Sequence, residues 1–168
     1  MVEGFMPPLT VMLIKLSNDR HMLRVTRADG SEETRELTTR EFLFHDLLHF
    51  TVETEAGLPD SFYGSLAKGA HLDALARPGA PLSGEALITE RTTGILTGAI
   101  KGGVPRREAI GAAMNLFGAH GERLPNWFTE SFVDRVRERM RRLMGEWKAV
   151  PFGGSMTLRF PAIMPADC

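Results

Sequence analysis

The chain has 168 residues, of which 43% are apolar and 24% are charged. These values are typical of a single globular domain over residues 1–168, and they exclude intrinsic disorder as the main state. Twenty basic residues are balanced by twenty-one acidic ones, so the net charge of −1 provides no basic field for nucleic acid. The only cysteine, Cys168, excludes an internal disulfide framework and a multi-cysteine zinc site.

The first part of the chain is predicted to form a three-stranded antiparallel meander. Residues 9–16 are mostly apolar, residues 21–28 alternate apolar with polar side chains, and residues 32–37 suit a more exposed third strand. The pair Asp29-Gly30 predicts a tight hairpin turn between the second and third strands. We expect arginines of the second strand to pair with glutamates of the third.

Most of the chain from Thr38 to Ala149 has the pattern of helices. Thr38 and Glu41 predict a capping box at the start of a helix that runs to about Ala56, and Gly57 is expected to end it. Four more helices are predicted further along the chain, over 60–68, 83–101, 105–120 and 126–149.

The end of the chain decides the fold class. Residues 70–82 are rich in proline and glycine and predict a loop, whereas residues 155–160 alternate apolar with polar side chains. This second segment predicts a fourth strand that returns to the meander. Strands followed by helices indicate an α+β fold, in which a small antiparallel sheet packs on about five helices.

The helix predicted to end near Ala56 carries four ionisable side chains on one face. At about 100° per residue, His49 lies about 40°, Glu53 about 80° and Asp46 about 100° from His45. Seven of the twelve residues over 42–53 are large and apolar, so this helix is predicted to be buried on most sides. Buried polar groups need partners, and these four can supply them to one another.

A divalent metal is one way to satisfy this group. His45 and His49, one turn apart, can bind one zinc, iron or manganese ion, and the carboxylate of Glu53 can complete the protein ligands. Asp46 and Glu53 are then the candidate catalytic residues, with Asp46 as a base or as an orienting partner. Because Glu53 lies two turns from His45, its alternative role is to support the histidines from behind. The predicted chemistry is hydrolytic or lyase-like on a small molecule.

A structural role of these four side chains remains an alternative to metal binding. The same side chains can form a buried hydrogen-bond network that fixes the packing of the helix. The protein would then be a non-enzymatic binding or interaction protein. His71, Asp73 and His120 are further, more distant candidates for a metal ligand.

Two resemblances rest on the same helix. The segment HDLLHFTVETEAGL, followed by SFYGSLAKG, resembles a bacterial family of uncharacterised proteins with a His-Asp-Leu-x-His-Phe-x-Val-Glu phrase, then Gly-Leu and an aromatic-Gly pair. That resemblance covers about residues 42–70 and implies no activity. The pentapeptide HDLLH over 45–49 also resembles the His-Asp-x-x-His motif of a coenzyme Q (ubiquinone) biosynthesis family, which implies a metal at both histidines. Where that family has a metal-binding glutamate, this chain has Ser61.

Location and macromolecular partners are predicted from what the sequence lacks. No segment has the roughly 20 apolar residues of a membrane span, and the start of the chain lacks the pattern of a secretory signal. We therefore expect a cytoplasmic protein without a membrane partner. The last predicted helix is rich in arginine, but acidic residues interleave with them, so a solvated face is favoured over a nucleic-acid contact. The sequence makes no prediction of oligomeric state.

Overall fold

The computed structural model describes residues 6–82 and 84–161. Four strands form one antiparallel sheet in the order β3-β2-β1-β4, and they are β1 (Leu9–Lys15), β2 (Arg20–Arg27), β3 (Glu32–Thr38) and β4 (Ser155–Phe160). The helices of the described residues are α1 (Thr39–Ala56), α2 (Phe62–Ala67), α3 (Leu72–Leu75), α4 (Gly84–Lys101), α5 (Arg106–Ala119) and α6 (Glu130–Ala149). The α+β prediction is confirmed.

The last strand closes the sheet from the far end of the chain. β4 pairs with β1 antiparallel, with Leu158 opposite Val11 and Met156 opposite Leu13. The alternation in β4 buries Met156, Leu158 and Phe160 on the face that β1 also buries. The predicted fourth strand is therefore confirmed, and it joins the apolar layer between the sheet and the helices.

α1 begins where the sequence predicts, but its N-terminus is capped differently. Thr38 occupies the N-cap position but its side chain makes no capping hydrogen bond, so the capping box is wrong. Instead Asp19, in the turn after β1, accepts from the backbone N–H of Thr39 at 2.9 Å through its carbonyl oxygen. Its carboxylate accepts from the N–H of Arg40 at 3.1 Å. α1 thus begins directly after β3, which sets its first turns against the edge of the sheet.

The predicted helices are confirmed apart from their ends. α1 ends at Gly57 as expected, with the left-handed φ of 64°. α6 begins four residues later than predicted, where Thr129 accepts a hydrogen bond from the N–H of Phe132 at 3.1 Å. The predicted loop over 70–82 contains the single turn of α3. Ser83, the first residue of the helix predicted over 83–101, and Cys168 lie outside the described residues.

The arginines of α6 do more than solvate a face. Arg139 and Arg135 pair with Glu55 of α1 at 2.7 and 3.1 Å. Arg137 donates to the backbone oxygens of Ala99, in α4, and of Val104, just after α4. These contacts tie α6 to two other helices, so the prediction of a merely solvated face is wrong for Arg135, Arg137 and Arg139.

Across residues 6–82 and 84–161, no helix is both long and apolar enough to cross a membrane.

Replacing Arg137 should therefore destabilise the protein, whereas replacing Arg141 should not. Arg137→Gln removes a charged donor from the backbone oxygens of Ala99 and Val104, and we expect a loss of about 1–2 kcal/mol. Among the described residues Arg141 pairs only with Glu138 of its own helix, and it is exposed, so Arg141→Gln should leave stability nearly unchanged. Urea unfolding of both variants measures the difference, and equal losses would contradict this role of Arg137.

Candidate functional site

Two histidines and a glutamate converge at one place on the helical layer. His45 and His49 lie on consecutive turns of α1 with their ring centroids 4.5 Å apart. Glu90 of α4 places one carboxylate oxygen 2.9 Å from Nε2 of His49 and the other 3.7 Å from Nε2 of His45. One ligand atom from each of the three residues lies within 4.8 Å of the others, so this group could hold a metal ion.

The packing of α4 on α1 brings Glu90 into the group. The α4 side chains next to Glu90 that face inward are Thr89, Thr92 and Thr93, all buried. Their hydroxyls bond back to carbonyl oxygens of α4 itself, which satisfies them without a partner on α1. Thr93 Oγ1 also lies 3.5 Å from Nε2 of His49. Small, internally satisfied side chains thus let the two helices approach at the site.

Asp46 lies beside the group on the side of His45. Its carboxylate is 3.4 Å from Nδ1 of His45, and its backbone carbonyl accepts a hydrogen bond from the Tyr63 hydroxyl at 2.9 Å. The side-chain hydrogen bonds of Asp46 and then of Glu90 raise the pKa of His45 to about 9. Helical periodicity predicts Asp46 on the same arc as the histidines, and the structure brings it next to one of them.

Glu53 lies behind His49 rather than among the converging groups. It is fully buried, and its two carboxylate oxygens accept from the backbone N–H groups of Phe62 and Tyr63 at 3.0 and 2.8 Å. These are orphan donors at the start of α2, so Glu53 caps that helix. One of its oxygens is 3.7 Å from Nδ1 of His49. Glu90, and not Glu53, stands with His45 and His49 in the group that could hold a metal ion, and Glu53 has the supporting position that the sequence left as its alternative.

The electrostatics of His49 reflect both carboxylates. Burial alone would lower the pKa of this histidine, but Glu53 and Glu90 outweigh burial and the net pKa is raised. Burial in turn raises the pKa of Glu53, and His49 together with the N–H of Tyr63 opposes that shift. The hydrogen bond of Glu90 with His45, and then that with His49, lowers the pKa of Glu90.

The group borders a cleft of about 360 Å³. His45, Asp46, His49 and Glu90 all contribute to its lining, and the rest is mainly apolar. The sheet, the helices α1 to α4 and the loop after α3 all contribute apolar side chains to the lining. These are Leu23, Leu37, Phe42, Phe62, Leu72, Leu75, Leu82 and Ala86. A cleft of this size and character suits a small organic molecule.

The other ligand candidates lie elsewhere. His71 is exposed, with Nδ1 3.4 Å from a carboxylate oxygen of Glu33, and Asp73 and His120 are exposed as well. None of the three belongs to the converging group found in the described residues. Glu90 was missed because it stands on another helix, far along the chain, and the α1 pattern carries no information about which helix packs there.

Comparison with known proteins adds no relative: no protein-family model matches the chain, and no curated protein or solved structure matches it significantly. The two resemblances of the α1 segment therefore stay predictions. The site is interpreted below from its own geometry and chemistry.

Removing the Glu53 carboxylate should destabilise the protein more than removing an exposed acid of the same helix. Glu53→Ala leaves the N–H groups of Phe62 and Tyr63 without their acceptor, and each buried unpaired donor costs about 1–3 kcal/mol. Glu41→Ala, on the exposed first turn of α1, is the matched control and should have little effect. Chemical unfolding measures both, and a stable Glu53→Ala variant would contradict the capping role.

Proposed function

We propose that this chain binds one divalent metal ion through His45, His49 and Glu90, and that the ion serves a hydrolytic or lyase-like reaction on a small molecule in the cleft. The observation that carries the proposal is the convergence of these three side chains, from two helices, at the border of an apolar cleft. Catalytic metal sites characteristically combine a few protein ligands with open positions toward a substrate cavity.

The ligand set points to a small group of metals. Two imidazoles and one carboxylate suit zinc, and the same combination with open positions suits ferrous iron. Manganese accepts the same donors with weaker affinity. The bound metal would supply a Lewis acid, which lowers the pKa of a coordinated water or polarises a carbonyl group.

The neighbouring residues support this role. The carboxylate of Asp46 lines the cleft beside His45, where it can accept or return a proton during the reaction. Glu53, held by two backbone N–H groups, is placed to orient the ring of His49 from its Nδ1 side. The apolar lining limits water around the reacting group, which strengthens electrostatic interactions there.

A second candidate is a non-enzymatic binding protein in which the same group is a structural network. The 2.9 Å ion pair of His49 with Glu90 favours this alternative, because the carboxylate satisfies the imidazole without a metal. In that case metal would have no effect on stability, and the cleft would bind its ligand without reaction.

Titration of zinc into chelator-treated protein distinguishes the two candidates. We expect one equivalent to bind and to raise the thermal midpoint, because an ion that binds only the folded state stabilises it. Glu90→Gln should weaken zinc binding at least about tenfold, since it replaces a charged ligand by a neutral one. Glu108→Gln, at an exposed position of α5, is the control and should leave it unchanged. Absence of saturable binding to the wild type would favour the structural network.

Metal affinity should rise with pH up to about 9. The pKa of His45 in the metal-free protein is raised to about 9, so at pH 7 this histidine carries a proton that the metal must displace. Binding at pH 7 should therefore release protons, and less proton should be released as the pH approaches 9. Calorimetric titration in buffers of different ionisation enthalpy measures the number released. A binding enthalpy independent of the buffer at pH 7 would mean that no proton leaves on binding, and it would contradict a protonated His45 that becomes a ligand at that pH.

A further inference from the structure

Arg35 of β3 lies on the face of the sheet that packs against the helices. In β3 the side chains of Glu33, Arg35 and Leu37 point to the same side, and Leu37 is buried under the helices. Arg35 stands opposite Leu23 of β2, whose side chain is buried in the core. Arg35 is itself partly buried and lines the cleft. A cation in this apolar layer is unfavourable unless an anion compensates it.

Arg27, the inward-facing arginine of β2, has its charge compensated by partners within the protein. Arg27 of β2 pairs with Glu33 and donates to the carbonyl oxygens of Leu66 and Ala70, both at 2.7 Å. Its guanidinium is therefore fully engaged by the protein. Over residues 6–82 and 84–161, Arg35 has neither a salt bridge nor a side-chain hydrogen bond of this kind. Arg35 instead contributes to the lining of the cleft.

A second cation and two apolar side chains complete the same cavity. Arg77, in the loop that follows α3, also lines the cleft and is free of salt bridges to the described residues. Phe42 and Leu82, which belong to the few large apolar side chains that are exposed, lie in the same lining. The cavity thus combines a mainly apolar lining and the His45, Asp46, His49 and Glu90 group with two arginines that have no ion pair among the described residues.

We infer that the cleft binds a small organic anion, which consists of an apolar body and one carboxylate or phosphate group held by Arg35 with help from Arg77. A guanidinium donates two parallel hydrogen bonds to either group, and in an apolar setting such bonds are strong. As a substrate class this inference rests on the proposed function. Anion binding by Arg35 needs no metal, so it can be tested in the metal-free protein.

The test is calorimetric titration of chelator-treated protein with octanoate, octyl phosphate and octanol. These probes share an apolar chain and differ in the head group. We expect at least one anion to bind about tenfold or more tightly than octanol, and the better of the two identifies the head group. Arg35→Met, which keeps an apolar side chain on the inner face, should remove most of the anion's advantage over octanol. Arg159→Met, on the exposed face of β4, should leave the affinity unchanged.

Arg77→Met is a second variant for the same measurement of anion affinity. Arg77 lies in an exposed loop, so its replacement should not affect folding. It should weaken anion binding by a smaller factor than Arg35→Met. Equal affinity for octanol and for both anions, no binding of any probe, or unchanged anion binding in Arg35→Met would overturn the inference. Because no metal is present, none of these results depends on the metal site, and a failed zinc titration would leave anion binding intact.

Discussion

His49→Ala should abolish metal binding and should remove all response of the protein to chelator. The imidazole of His49 lies 2.9 Å from Glu90 and next to the ring of His45, so it is the central member of the group. Without it, one imidazole and one carboxylate remain, and we expect the affinity for zinc to fall at least about a hundredfold. In the wild type, chelator should lower the thermal midpoint, and in the variant it should change nothing.

His120→Ala is the control for this variant. His120 is exposed just after α5 and lies outside the converging group. Its replacement should preserve both the affinity and the chelator effect. A His49→Ala variant that still binds one equivalent with wild-type affinity would contradict the site. A loss of about 1–3 kcal/mol in His49→Ala, without any chelator effect on the wild type, would indicate the structural network.

Phe160→Ala should be among the most destabilising single substitutions. Phe160 is 2% exposed, and its ring lies 6.1 Å from that of Phe50 and 6.0 Å from that of Tyr63, measured between centroids. It therefore joins β4 to α1 and α2. Truncation of a buried phenylalanine costs about 3–5 kcal/mol, because it removes apolar contacts and leaves a cavity. For a chain of this length the thermal midpoint should fall by about 10 °C.

The chain contains a matched control eight residues earlier. Phe152, in the turn before β4, is 63% exposed, so Phe152→Ala should change the free energy of unfolding by less than about 0.5 kcal/mol. Thermal and urea unfolding of both variants measure the contrast. Similar midpoints for the two variants would contradict the pairing of β4 with β1 as a main source of stability.

The local patterns of the sequence predicted the elements well where neighbouring residues determine them. Alternation in β4 and the glycine after α1 act over a few residues, and both predictions are confirmed. The position at which α1 begins was predicted correctly, but its cap was not, because Asp19, from a turn twenty residues earlier, supplies the acceptors. Partners that come from distant parts of the chain leave no local signal.

At the candidate site too, the sequence predicted what local periodicity determines and missed what depends on tertiary packing. Helical periodicity placed His45 and His49 on one face, and their rings are indeed adjacent. The same periodicity could not show that Glu53 turns away to cap α2, because that role depends on where α2 begins. It could not identify Glu90 either, because α4 reaches the site only through tertiary packing. Arg35, in a strand that the sequence described as exposed, was missed for the same reason.

The most direct test of the central claim is the metal content of the protein purified without a metal-affinity tag. Elemental analysis of the wild type and of His49→Ala, prepared in parallel, gives moles of metal per mole of chain. We expect close to one zinc, iron or manganese per wild-type chain and almost none in the variant. Wild-type protein that contains no metal and takes up none from added zinc, iron or manganese would contradict it.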